Sequence, residues 1–208
     1  MSEKYTIDVL KHHIHIHRNY LSKLDRLSNK YNVSFRKPIF PESISENIIK
    51  HIIIKKFNHD ITWDCSGDLY SKDIGKIECK AFASDGPISF GHSQEWNIIY
   101  FLDLNDWYSD NIIKLYQLKL KNSSSKWLNI KVNKNENIQS IYLKKQRAKI
   151  SWKQLYPQIE NNIEKIYEGS LDKILFRSCI YNLVFDVINF PLKCITKVMD
   201  LCLKKKKN

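Results

Sequence analysis

In this 208-residue chain only one acid-x-lysine triplet occurs, Glu78-Cys79-Lys80. Random placement of its lysines and 22 acidic residues would give about three. The triplet lies in KIECKAF (Lys76 to Phe82), a short run with turn formers on either side that reads as a β-strand. Residues i and i+2 of a strand project from one face. Glu78 and Lys80 therefore stand together, while Cys79 turns to the opposite face as a small buried hydrophobe. Asp68, in SGDLY, is separated from Glu78 by a turn carrying Lys72, Asp73 and Gly75, and a hairpin-like return would set it alongside. Two carboxylates and an ammonium group so placed suit the hydrolysis of a phosphodiester. A carboxylate-held Mg2+ can neutralise the phosphate, activate a water and stabilise the leaving oxygen. The acids would face the metal and Lys80 the water or the phosphate. An exposed cross-strand ion pair on an ordinary sheet would show the same triplet, since such pairs are common and weak.

The elements that must hold these groups can be read from periodicity. Apolar residues Leu10, Ile14, Leu21, Leu24 and Tyr31 recur at helical steps, which predicts a helix over roughly 4–30. After Pro38 and Pro41, SISENIIKHIIIKKF (Ser43 to Phe57) combines a capping serine with an apolar stripe and reads as a second helix. KIECKAF, NIIYFLDL (Asn97 to Leu104) and IIKLYQLKL (Ile112 to Leu120) are rich in β-branched and aromatic residues, hence strands. NIIYFLDL is almost continuously apolar, as a strand buried on both faces would be. From Trp152 to Tyr167 helical spacing returns. The order helix, strands, helix predicts an α/β fold: a mixed β-sheet flanked by α-helices.

Hydrophobic residues make up 43% and aromatics 12% of the chain, enough for one sizeable core and against a disordered or repetitive architecture. The formal net charge of +12 attracts polyanions, which makes nucleic acid the leading partner, although a solvated lysine face carries charge equally well. The five cysteines form no CxxC pair, and the start MSEKYTIDVLKHH has no secretory pattern, so an intracellular, cytoplasmic location is expected. The most apolar segment, Ile174 to Leu203, is interrupted by Arg177, Asp186, Lys193, Lys197 and Asp200; it reads as amphipathic rather than transmembrane, and no membrane partner is expected. The expected organisation is a catalytic domain over residues 1–168 and an amphipathic segment with a basic tail over 169–208.

The run SGDLYSKDIGKIECKAFASDGPISFGHSQEWNIIYFLDL (Ser66 to Leu104) resembles type II restriction endonucleases of the PD-(D/E)XK superfamily. The similarity extends from about PESISENIIK (Pro41 to Lys50) to about Trp152. In that pattern Asp68 matches the first metal-binding aspartate, Glu78 the second acid and Lys80 the catalytic lysine. Gly67 stands where the pattern has proline, which leaves the carboxylate in place. The resemblance implies a restriction-endonuclease-like mixed sheet with Asp68 and Glu78 on Mg2+ and the Cys79 carbonyl as a further ligand. Lys80 would orient or deprotonate the water, or stabilise the phosphate. Glu46 lies in the preceding helix, where similar enzymes carry a glutamate that supports the metal; an exposed acid near a helix N-terminus is the alternative. The implied activity is site-specific cleavage of double-stranded DNA at a short palindrome by a homodimer, with a cognate DNA methyltransferase acting on the same site. A repair or junction nuclease of the same fold, a catalytically silent DNA-binding protein and a basic membrane-surface protein are the competing readings.

Two segments are candidates to touch DNA. The loop ASDGPISFGHSQEW (Ala83 to Trp96) leaves the catalytic strand and offers Ser84, Ser89, His92 and Gln94 between glycines, where hydroxyls and backbone N–H groups can hold phosphates. LKKQRAKISW (Leu143 to Trp152) crowds Lys145, Gln146, Arg147 and Lys149; arginine and lysine suit guanine or phosphate, and glutamine suits adenine. In HHIHIHR (His12 to Arg18), His13 and His17 stand four apart on a helix but no third ligand is evident, so surface histidines are expected rather than zinc. The terminal KKKKN (Lys204 to Asn208) is expected to solubilise the chain end.

Overall fold

A computed structural model describes residues 7–35, 40–64 and 68–174. Residues 1–171 form one compact unit, and of the second, 172–208, the description reaches only Ile174. The amphipathic C-terminal segment, the lysine tail, Gly67 and all cysteines except Cys79 lie outside the described residues.

Helix α1 spans Ile7–Tyr31 and buries Leu10, Ile14 and Leu21 of the expected stripe, whereas Leu24 is half-buried and Tyr31, at the helix end, is exposed. Helix α2 spans Glu42–Phe57. It starts one residue before Ser43, the expected cap: Pro41 is the N-cap and makes no side-chain capping bond. Proline suits a helix start because its fixed φ is already near helical and its missing N–H removes one orphan donor. The isoleucines at 44, 48, 49, 52 and 53 are buried, so α2 is held by packing against the strands rather than by its cap.

Six strands form the main sheet in the order β1 (Ile61–Trp63), β2 (Leu69–Ser71), β3 (Gly75–Phe82), β5 (Ile98–Asp103), β6 (Ile112–Leu118) and β8 (Ile163–Ser170). Only β3 and β5 run parallel; the other neighbours are antiparallel. All six residues of β5 are buried, in keeping with its continuous apolar run and its position inside the sheet. Two further strands, β4 (Pro87–Phe90) and β7 (Ala148–Ser151), pair antiparallel in a separate ribbon. Short helices α3 (Trp107–Asp110), α4 (Ser125–Leu128) and α5 (Ile138–Leu143) fill the connections.

The expected helix from Trp152 to Tyr167 is cut short. Helix α6 covers Trp152–Ile159, one 3-10 turn follows at Glu160–Asn162, and Ile163–Ser170 is strand β8 on the outer side of β6. Ile163, Ile166 and Tyr167 satisfy helical spacing and β-propensity equally. The open edge of β6 decides, because its backbone groups need partners and a strand supplies them.

Phe90, Trp96, Phe101 and Trp127 interlock beneath the ribbon, with ring centroids 5.0 Å apart for Phe90–Trp127 and 5.3 Å for Trp96–Trp127. Phe82 of β3 belongs to the same cluster and meets Trp152 at 4.8 Å. Glu78 and Lys80 are in step with Phe82 along the strand, at i, i+2 and i+4, so β3 presents all three on this face.

Candidate active site

The expected return of the chain beside Glu78 is present. β2 pairs with β3 so that Leu69 faces Ile77 and Ser71 faces Gly75. Gly75 takes φ +88, and a Cβ there would lie 2.4 Å from Asn97 Oδ1, so this turn requires glycine. Asp68, just ahead of β2, accepts a hydrogen bond from the Cys79 N–H on its Oδ2 at 2.7 Å. Glu78 is 3% exposed. Its Oε1 accepts from the Lys80 ammonium and, at 2.8 Å, from Gln94 Nε2. Glu46 of α2 lies within the electrostatic reach of Asp68, Lys80 and Glu78. The Cys79 side chain is buried on the other face of β3, as its place between Glu78 and Lys80 predicts.

Three carboxylates therefore lie in the field of one ammonium, which touches only Glu78, at a partly buried site. Burial raises Asp68 above the ordinary aspartate value, against the opposing pull of the Cys79 N–H and of Lys80. Glu78 is raised by burial as well, although Lys80 and Gln94 both favour its charged form. Glu46 rises to about 7, first through burial and then through the Asp68 charge. Folded protein thus holds a proton that the unfolded chain releases near 4.5, so stability falls as pH climbs from 4.5 to about 7. Glu46→Gln is expected to remove this slope and to stabilise the metal-free protein at pH 8 by about 1–2 kcal/mol, the linkage value discounted for partial solvent exposure. The check is the Tm gap between mutant and wild type at pH 5 and pH 8; a gap that does not widen contradicts a Glu46 buried beside Asp68.

The donor set fits a hard divalent cation. Carboxylate oxygens in excess negative charge are what Mg2+ takes, usually one or two of them together with waters and phosphate oxygens. Among the described residues no three Asp, Glu, His or Cys side chains already stand close enough to cage an ion by themselves.

The two candidate DNA-contacting segments are neighbours in space, which the sequence did not reveal. β4 lies inside the loop after β3 and pairs with β7 at the end of the basic stretch, Ser89 opposite Lys149. Ile88, Phe90, Ala148 and Ile150 are buried on one side of this ribbon, and Lys149 is exposed. Their alternation was the available signal, though each run is only four residues long. Lys145 (φ 57), Gln146 and Arg147 are exposed and make no side-chain hydrogen bond or ion pair among the described residues. Lys144 is engaged by Glu136 at 2.6 Å. Ser84 and His92 are exposed, and the Ser84 hydroxyl accepts from the Gly86 N–H at 3.4 Å. Gln94 has its amide inside the carboxylate cluster instead of on the surface. In α1, His17 packs against Phe40 and Trp107 at 5.1 and 5.8 Å, and burial lowers its pKa.

A six-stranded mixed sheet flanked by helices, with an acid and a lysine on one inner strand and two more acids brought in from α2 and the turn before β2, defines a restriction-endonuclease-like α/β protein. The model of the Bsp6I restriction endonuclease family matches residues 8–160. The chain belongs to that family of type II restriction endonucleases, and DNA is its substrate. The matched region runs from α1 into the 3-10 turn after α6 and contains Glu46, Asp68, Glu78, Lys80 and the ribbon. No match was found among curated proteins or among solved structures. No helix of the described residues is long and apolar enough to cross a membrane.

Proposed function

We propose that this restriction endonuclease is a Mg2+-dependent enzyme of the PD-(D/E)XK superfamily that cuts both strands of a short palindromic site as a homodimer. The observation that carries the reading is the nearness of Glu46, Asp68, Glu78 and Lys80, drawn from a helix, a turn and a strand, in one partly buried group with more acid than base. Asp68 and Glu78 would hold the cation, the Cys79 carbonyl would add an oxygen, and Glu46 would support them. Bound Mg2+ would neutralise the phosphate and acidify a water. In hydrolysis the water oxygen bonds to phosphorus, the bond to one sugar oxygen breaks, the water loses a proton and the departing oxygen gains one. Lys80 would hold that water or a phosphate oxygen with its ammonium.

One active site cuts one strand, and a two-fold pair of sites matches a palindrome, which favours the homodimer. A cognate DNA methyltransferase would then protect the host's own copies of the site. On each protomer Ser84, Ser89, His92, Lys145, Gln146, Arg147 and Lys149 surround the β4–β7 ribbon and would supply phosphate and base contacts.

Purified protein incubated with plasmid DNA and Mg2+ tests this directly, with the fragment ends sequenced. Discrete fragments sharing one terminal sequence, and no cutting in chelator, are expected. A smear, or no cutting with any of several divalent metals, would overturn the reading.

A further inference from the structure

Gln94 makes four hydrogen bonds, one of them from its own N–H to the Gly91 carbonyl at 3.4 Å. Its Nε2 donates to Glu78 Oε1 at 2.8 Å, its Oε1 accepts from the Gly91 N–H at 2.5 Å, and its carbonyl accepts from Asn122 Nδ2 at 2.6 Å. The orientation of the amide follows from its partners. A backbone N–H can only donate, so the end facing Gly91 is oxygen and the end facing Glu78 is the NH2 group. The fold-back that makes this reach possible depends on residue 91. A Cβ on Gly91 would lie 2.9 Å from Gln94 Oε1 and 3.0 Å from its Cγ.

We propose that Gln94 is a positioning residue for the cleavage reaction: from the loop after β4 it holds one oxygen of Glu78, so that the carboxylate is fixed for a divalent cation and Lys80 is not its sole partner. This rests on the reading of Glu78 as a metal-holding group. The physical need is specific. With Lys80 alone, Glu78 would be a buried ion pair, and the ammonium would be committed to the carboxylate when it is required at the phosphate or the water. A neutral donor supplies a hydrogen bond without cancelling charge, so Glu78 stays negative toward a cation and Lys80 can leave it. Among the described residues both donors meet Oε1, and Oε2 has none. Removing a partner of this kind behind a metal-binding carboxylate typically costs about 10–100-fold in metal affinity or activity. Asn122 anchors the loop from the far side, through the Gln94 carbonyl and, at 3.4 Å, the Trp96 N–H.

The test compares wild type with Gln94→Met, which keeps the length but not the donor, and with Gly91→Ala, which displaces the side chain sterically. Two readouts are taken on the full chain: a Ca2+ titration of the DNA-free protein followed by the rise in Tm, and steady-state cleavage of plasmid in Mg2+. In both variants the half-saturating Ca2+ concentration is expected to rise and kcat to fall, each by about 10–100-fold, while KM for the plasmid and the terminal sequence of the fragments stay as in wild type. A purely structural role would lower the metal-free Tm and leave the Ca2+ midpoint in place. An unchanged Ca2+ midpoint in folded Gln94→Met overturns the proposal, as does an altered terminal sequence, which would make Gln94 a base-reading residue. If wild type binds Ca2+ but cleaves nothing, the nuclease assignment fails while the Ca2+ midpoints still decide the role of Gln94. A wild type that does not bind Ca2+ overturns both.

Discussion

Lys80→Ala is expected to lower cleavage by about 10²–10⁴-fold while leaving DNA binding detectable, the range seen when one proton-transfer or charge-stabilising group is removed. Lys80 is the one cation that touches Glu78, and no other lysine or arginine of the described residues is paired with a carboxylate of the cluster. No neighbour can therefore take over its charge. In the proposed scheme binding draws on a different part of the molecule: the exposed Lys145, Arg147 and Lys149 would supply the counterion-release attraction that any duplex feels. The fold should survive, because Glu78 keeps the Gln94 hydrogen bond and its raised pKa lets it take up a proton. Single-turnover cleavage, mobility shift in Ca2+ and Tm read the three quantities separately. Wild-type cleavage by a folded Lys80→Ala protein would refute the assignment of the lysine, and Glu78→Ala is expected to behave alike.

The largest stability effect is expected at Trp127. Its ring is fully buried at the centre of the cluster formed with Phe90 and Trp96, both in edge-to-face contact with it. Trp127→Ala empties that volume and removes the floor on which the β4–β7 ribbon rests. A cost of about 3–5 kcal/mol follows from large-to-small core substitutions, against a total of about 5–15 kcal/mol for an ordinary domain. Urea unfolding measures it, and a loss under about 1 kcal/mol would contradict the packing described. Because the ribbon carries the exposed basic residues, DNA affinity is expected to fall in step with stability, in contrast to Lys80→Ala.

Much of the chemistry was legible before folding was considered. The triplet Glu78-Cys79-Lys80 needs only the two-residue period of a strand to bring acid and lysine to one face, and that period belongs to local covalent geometry. The return of Asp68 was legible for a related reason, since a short turn with Gly75 leaves the chain little choice but to pair with itself. Helices α1 and α2 and the buried strand β5 could likewise be read from apolar spacing, because burial of one face or of both imposes the pattern directly.

Contacts between distant segments were not legible. Whether Ile163–Ser170 continued a helix or became an edge strand was settled by the open side of β6, which no local pattern records. The pairing of Ser89 with Lys149, which turns a loop and a charge run into one ribbon, depends on β4 and β7 finding each other across the long stretch from residue 91 to residue 147. By its place in a polar loop Gln94 is expected to face DNA; only the fold-back at Gly91 and the nearness of Glu78 give its amide a partner inside the cluster. Spacing along the chain determines which groups share a strand face or a helix face, but the groups that meet from separate elements are chosen by packing. The sequence by itself therefore determined the acid, the lysine and the strand that carries them, whereas the tertiary structure decided what surrounds that strand, raising Glu46 to about 7 beside Asp68 and seating Gln94 on Glu78.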